Sequence, residues 1–160
     1  MTDSRIYEDL KRDHEKHRKM FDRIAETHGE SEERRTRFEE LRKELQAHAA
    51  AEEESLYATM LGDPELRDEA RHSVAEHKEI DDRLGELFET DMGSGAWLTK
   101  FKELRHRYFH HIDEEEEEMF PAAEDELSDK TEKRLADKFE KRKPRELEMA
   151  ANEDPGDERE

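Results

Sequence analysis

Residues 38–57 read FEELRKELQAHAAAEEESLY, and residues 101–120 read FKELRHRYFHHIDEEEEEMF. At an offset of 63 residues Phe38 falls on Phe101, Leu41 on Leu104, His48 on His111, Glu52 on Glu115, Glu53 on Glu116, Leu56 on Met119 and Tyr57 on Phe120. Further out, the same offset carries His14 onto His77. Inside each stretch the apolar and donor residues recur at alternating steps of three and four, which puts them on one stripe of a helix. One ladder is Phe38, Leu41, Leu45, His48, Glu52 and Leu56, and the other is Phe101, Leu104, Tyr108, His111, Glu115 and Met119. Two further ladders stand upstream of these: Leu10, His14, His17, Phe21, Ile24, and His77, Ile80, Leu84, Leu87. Four amphipathic helices with short connections predict an all-α, antiparallel up-down-up-down four-helix bundle.

The punctuation gives the boundaries. The first helix is expected from about Ser4 to Thr27, ahead of Gly29, and the second from a Ser31 cap to Leu61. Asp63-Pro64 reads as a cap followed by a proline in the first turn, opening a third helix that runs to about Asp91. Met92 to Gly95 is a loop with Ser94 as the next cap, and Pro121 closes the fourth helix. Trp97 and Met92 are expected to pack at that end of the bundle. These boundaries make residues 1–125 the bundle. Residues 126–145 are an appended short helix from Ser128 to about Lys143, broken at Pro144, and 146–160 a flexible acidic tail.

Composition narrows the function. Of the 160 residues, 31% are apolar and 48% charged, which suits solvated helices with thin apolar stripes. A formal charge of −19 argues against nucleic acid and anionic membranes as partners. There is no cysteine, so His, Asp and Glu are the available metal donors. No apolar run approaches the roughly 20 residues of a membrane span, and the cytoplasm is the expected location.

His14, His48, His77 and His111 occupy stripe positions where a bundle ordinarily places leucine, one on each helix. Burying them with Glu52 and Glu115 is costly unless the six groups share a partner. A pair of metal ions satisfies all of them together, and four imidazoles with two carboxylates suit iron. His14 with His48 is expected to hold one metal and His77 with His111 the other, with Glu52 and Glu115 bridging. His17, Asp81 and Glu116 are placed where they too could ligate, and His110 competes with His111. His28, His72 and His106 read as surface or helix-end residues, and Tyr108 as a core tyrosine close to the site. No serine has a base beside it on the expected interior, and there is no Gly-rich phosphate loop or calcium loop.

Asp13-His14, HAAAEEESLY (His48 to Tyr57), Glu76-His77 and HIDEEEEEMFP (His111 to Pro121) resemble the hemerythrin-like, or HHE cation-binding, family over residues of about 5 to 125. The resemblance implies a four-helix bundle with an oxo- or hydroxo-bridged pair of iron ions on His14, His48, Glu52, His77, His111 and Glu115. It also implies a small diatomic or peroxide ligand. The oxygen-carrying hemerythrins have a further histidine one turn before the third-helix ligand, where this chain has Ser73. That difference points to sensing, storage or stress response more than to oxygen carriage. A di-iron oxidase or peroxide-consuming enzyme is the first alternative, and a metal-free acidic interaction module the second.

Overall fold

The computed structural model describes residues 5–152 and is helical throughout, with no strand among them. Helix α1 is Arg5–Ala25. Helix α2 runs without a break through Glu32–Glu52, a π-helical turn Glu53–Tyr57 and a last α-turn Ala58–Leu61. Helix α3 is Arg67–Glu89. Helix α4 repeats the construction of α2, with Gly95–Glu114, a π-turn Glu115–Met119 and a final segment Phe120–Glu126. Helix α5 is Asp129–Ala150.

Ser31, Ser94 and Ser128 cap α2, α4 and α5, each hydroxyl accepting the N–H of the third residue onward. Helix α1 ends just short of the expected boundary. There the Thr27 hydroxyl donates to the Ile24 carbonyl at 2.6 Å, and Gly29 takes the left-handed φ of 57° that releases the chain.

Three boundaries differ from the sequence reading, each around a proline. Asp63-Pro64 forms a separate turn, in which the Asp63 carboxylate accepts the Glu65 N–H, and α3 starts only at Arg67. Pro121 does not close α4, because the π-turn before it widens the helix and makes room for a ring that would otherwise clash with the preceding turn. Pro144 lies inside α5, which is 22 residues long and not a short helix ending at Lys143. Beyond the proline, the buried Glu146 and Ala150 and a 2.8 Å bond from Arg42 Nη1 to the Ala150 carbonyl hold the last turns. Pro144→Ala restores the missing N–H donor and is expected to stabilise the chain by up to about 3 kcal/mol, read from urea unfolding. Of the tail expected over 146–160, residues 146–150 belong to α5, and 153–160 lie outside the described residues.

Every residue of the four ladders is buried. Neighbours α1–α2, α3–α4 and α1–α4 pack along their lengths, α2 meets α3 mainly through its Glu53–Leu61 end, and α5 lies along α1 and α2. The interior has two apolar clusters. One includes Ile6, Leu10, Leu56, Met60, Phe120 and Phe139, and the other Phe21, Leu41, Leu84, Trp97, Phe101 and Leu104. Between them, on all four bundle helices, lies a polar layer. Going down α1, Leu10 belongs to the first cluster and Phe21 to the second, with His14 and His17 between.

Candidate metal centre

The polar layer holds two groups of donors. His14, His48, Glu52 and Glu115 have one ligand atom each within 4.8 Å of one another, and so do His77, His111, Glu52 and Glu115. Both carboxylates therefore belong to both groups. Glu52 Oε1 lies 3.5 Å from His48 Nε2 and 3.4 Å from His77 Nε2. Glu115 Oε1 lies 3.2 Å from His14 Nε2 and 3.9 Å from His111 Nε2. Each glutamate thus stands between one imidazole of each group.

The inner atoms behave as donors aimed at a common point. His14 Nε2, His48 Nε2, both oxygens of Glu52 and Glu115 Oε1 are buried and make no hydrogen bond. Leaving such atoms unsatisfied costs about 1–3 kcal/mol each, more where they are charged. Spacings of 3.2–3.5 Å without a hydrogen bond are what adjacent ligands of one ion show, since each sits about 2.0–2.2 Å from it. The donor set and its unsatisfied atoms fit a pair of divalent cations.

The outer nitrogens are all taken, in a ring that stitches the helices together. His48 Nδ1 on α2 meets Asp13 of α1 at 2.8 Å, and His77 Nδ1 on α3 meets Glu53 of α2 at 2.7 Å. His111 Nδ1 on α4 meets Glu76 of α3 at 2.8 Å, and His14 Nδ1 on α1 meets Glu116 of α4 at 2.6 Å. Asp13 and Glu76 are 63 positions apart, as are Glu53 and Glu116, so the ring obeys the internal repeat. A carboxylate on Nδ1 fixes the ring orientation and turns Nε2 toward the centre. Asp13→Ala and Glu76→Ala are each expected to weaken metal binding about 10–100-fold, and by similar factors, in competition with a chelator.

The electrostatics follow from this burial. Burial opposes protonation of His14, but Glu115 and Glu116 outweigh it and its pKa is pushed up to about 9. His77 is likewise desolvated, and Glu52 and Glu53 raise it to about 10. His48 is raised against its burial by Asp13 and Glu52. Glu52 is fully buried, which alone would raise it, yet His48 and His77 hold it well below the ordinary carboxylate range.

The residues left open in the sequence separate cleanly. Glu116 bonds the outer nitrogen of His14 and does not face the inner donors. Asp81 accepts from Gln46 Nε2 at 2.7 Å, across the gap between α2 and α3. His17 is buried, and both its nitrogens are engaged: Nε2 lies 2.8 Å from Glu44 and Nδ1 2.6 Å from the Tyr108 hydroxyl. Burial lowers its pKa to about 4, so it is neutral, donating to Glu44 and accepting from Tyr108. His28, His106 and His110 are exposed, and His72, half-exposed, pairs with Glu114 at 3.0 Å.

Three residues make contacts at the site that were not read from the sequence. Tyr57, taken there only as an apolar marker, stacks on His77 at 5.2 Å and donates its hydroxyl to Glu115 Oε2. It lies beside the buried Ser73, the position where the oxygen carriers have their further histidine. From α5, Phe139 packs edge-on to His48 at 5.9 Å, and Lys143 Nζ reaches Asp13 at 2.7 Å and Glu44 at 3.1 Å. The fifth helix thus touches the carboxylate that orients His48, whereas the equivalent Glu76 has His72 of its own helix at 3.4 Å.

The family model described as Hemerythrin HHE cation binding domain matches residues 5–123. Among solved structures, the chain is similar to the crystal structure of a Hemerythrin HHE cation binding domain-containing protein from Mycobacterium kansasii. The two are 25% identical with a TM-score of 0.80, over 95% of this chain and 91% of that one. No curated protein matches it.

Proposed function

Since the chain belongs to the hemerythrin HHE cation-binding domain family, we propose that its cations are two iron ions, one on His14 and His48, the other on His77 and His111, bridged by Glu52 and Glu115. The observation that carries this reading is the membership of both glutamates in both donor groups. Two cations bring four positive charges against two buried carboxylates, which leaves the layer able to accept a small anionic ligand. With about four protein donors for each ion, these residues would leave room at the metals for a small ligand. Iron there supplies a change of oxidation state and a place for oxygen or a related small oxidant to bind.

The surrounding residues serve that use. The four outer carboxylates raise the donor strength of the imidazoles and favour the oxidised ions. The apolar clusters close the layer off at its two ends along the bundle. The Tyr57 hydroxyl holds one oxygen of Glu115, leaving the other to face His14 and His111. With Ser73 in place of a further histidine, the His77 side carries fewer protein donors than an oxygen carrier has. We read the role as sensing, storage or stress response, in the cytoplasm; no helix among the described residues is long and apolar enough to cross a membrane.

Protein purified from iron-supplemented cells is expected to hold about two irons per chain, with a near-ultraviolet band that changes on exposure to oxygen or peroxide. A reversible change supports binding or sensing. Sustained consumption of peroxide with a reductant would instead make it an enzyme. Folded protein without stoichiometric iron would overturn the reading.

A further inference from the structure

Between α2 and α3, beside the donor layer, lies a cavity of ≈ 390 Å³. Its walls are Leu45, Ala49, Ala50, Val74, Ile80 and Leu84, and the rings of His48, His77 and Tyr108 also line it. One imidazole from each donor group therefore faces this space. The volume is within the range of small-molecule pockets, roughly 300–1,000 Å³, and far beyond a diatomic, since a water occupies about 30 Å³ of liquid.

The repeat explains why the cavity is on this side. The equivalent seam between α4 and α1 carries Ile112 for Ala49, Phe109 for Gln46, Phe21 for Leu84 and Arg18 for Asp81. Ile112 and Phe21 are fully buried there, and Phe109 packs edge-on to Phe21 at 5.6 Å. Arg18 seals the outside, with Nη2 3.0 Å from Asp113 and 3.4 Å from Glu116. Small residues at 49 and 50 open one face of an otherwise two-fold centre, and bulky ones close the other.

The lining also selects the occupant. Its charged groups are already engaged: Glu53 with His77 at 2.7 Å, Lys78 with Asp82 at 3.4 Å, and Asp81 with Gln46 at 2.7 Å. The buried part of the lining offers a charged ligand little, while three aromatic rings and six aliphatic side chains suit an apolar body. We propose that the α2–α3 cavity is a binding subsite for a small neutral aromatic alcohol or phenol, held with its ring against the aliphatic walls and its oxygen toward the face of His48 and His77. The subsite gives the centre an organic ligand besides the small oxidant. It rests on the metal-pair reading only for what the bound oxygen meets, not for the cavity itself.

The test uses the purified full-length protein and 4-bromophenol as the probe. Crystals soaked with it are expected to show a bromine anomalous peak between α2 and α3, whatever metal is present. In solution, 4-bromophenol is expected to bind saturably to the protein, with or without metal. Ala50→Phe fills the space and should weaken that binding by about tenfold or more, as a methylene or more of misfit does. Val74→Phe does the same from α3, should Ala50→Phe not fold. Azide, small enough to need no cavity, is expected to give its own iron band in wild type and in both variants. Absence of bromine from the cavity, or undiminished bromophenol binding in a folded filled variant, overturns the subsite. Loss of the azide band from the wild type overturns the metal reading instead, and the bromine peak still decides the subsite.

Discussion

Glu52→Ala is expected to empty both halves of the centre together, taking iron from about two per chain to well below one. The reason is geometric. Glu52 Oε1 is placed between His48 and His77, one from each donor group, so its loss removes a ligand and half the neutralising negative charge from both ions. Glu115→Ala should behave alike, with the added consequence that the Tyr57 hydroxyl loses its acceptor. His14→Ala differs, since it strips one nitrogen from one group and leaves Glu116 with Arg18 alone. It should lower occupancy of one ion more than the other. His106, exposed on α4, is the control, and His106→Ala should leave iron content and spectrum unchanged. Iron analysis of the set distinguishes a shared centre from two independent sites, in which each glutamate would cost only one ion.

The second large effect is a stabilisation by metal that grows with pH. In the metal-free protein His14 and His77 have folded-state pKa values of about 9 and about 10, above the ordinary 6.5. A raised histidine contributes stability that is complete below 6.5 and lost as pH climbs through its folded value. Each pKa unit is worth about 1.4 kcal/mol, so the two buried rings put on the order of several kcal/mol at stake between pH 6.5 and 10. Glu52, depressed in the fold, works at the other end, and its contribution disappears as pH falls below the usual carboxylate range. Metal competes with the same protons, so its binding strengthens as pH rises. The gap in Tm between loaded and metal-free protein should therefore widen from pH 6 to pH 9. Parallel curves would mean that these histidines do not meet the metal.

The residues facing inward were legible because the helical stripe and the repeat report the same thing. Within-helix spacing puts His48 with Glu52 and His111 with Glu115, and the offset of 63 adds His14 and His77. The outer ring was harder to see. Asp13 sits next to His14 in sequence but bonds His48, and Glu76 sits next to His77 but bonds His111. Adjacent residues on a helix point about 100° apart, so each carboxylate serves the neighbouring helix, a relation that spacing along one helix does not contain. The π-turns at Glu53 and Glu115 raise the same difficulty, because they begin beside the inward glutamates, where the stripe spacing alone reads as continuous α-helix. Pro144 misled for a related reason: its local cost is real, but contacts of the last turns with α2 outweigh it. The cavity was present in the sequence as Ala49-Ala50 opposite Ile112-Asp113, and became readable only once the seams between helices were known.

The central claim is tested most directly by anomalous diffraction at the iron edge on crystals of the iron-loaded protein. Two peaks are expected in the polar layer, one beside His14 and His48, one beside His77 and His111, with the carboxylates of Glu52 and Glu115 reaching both. A single peak, or iron bound anywhere outside this layer with the six inner donors left bare, would contradict it.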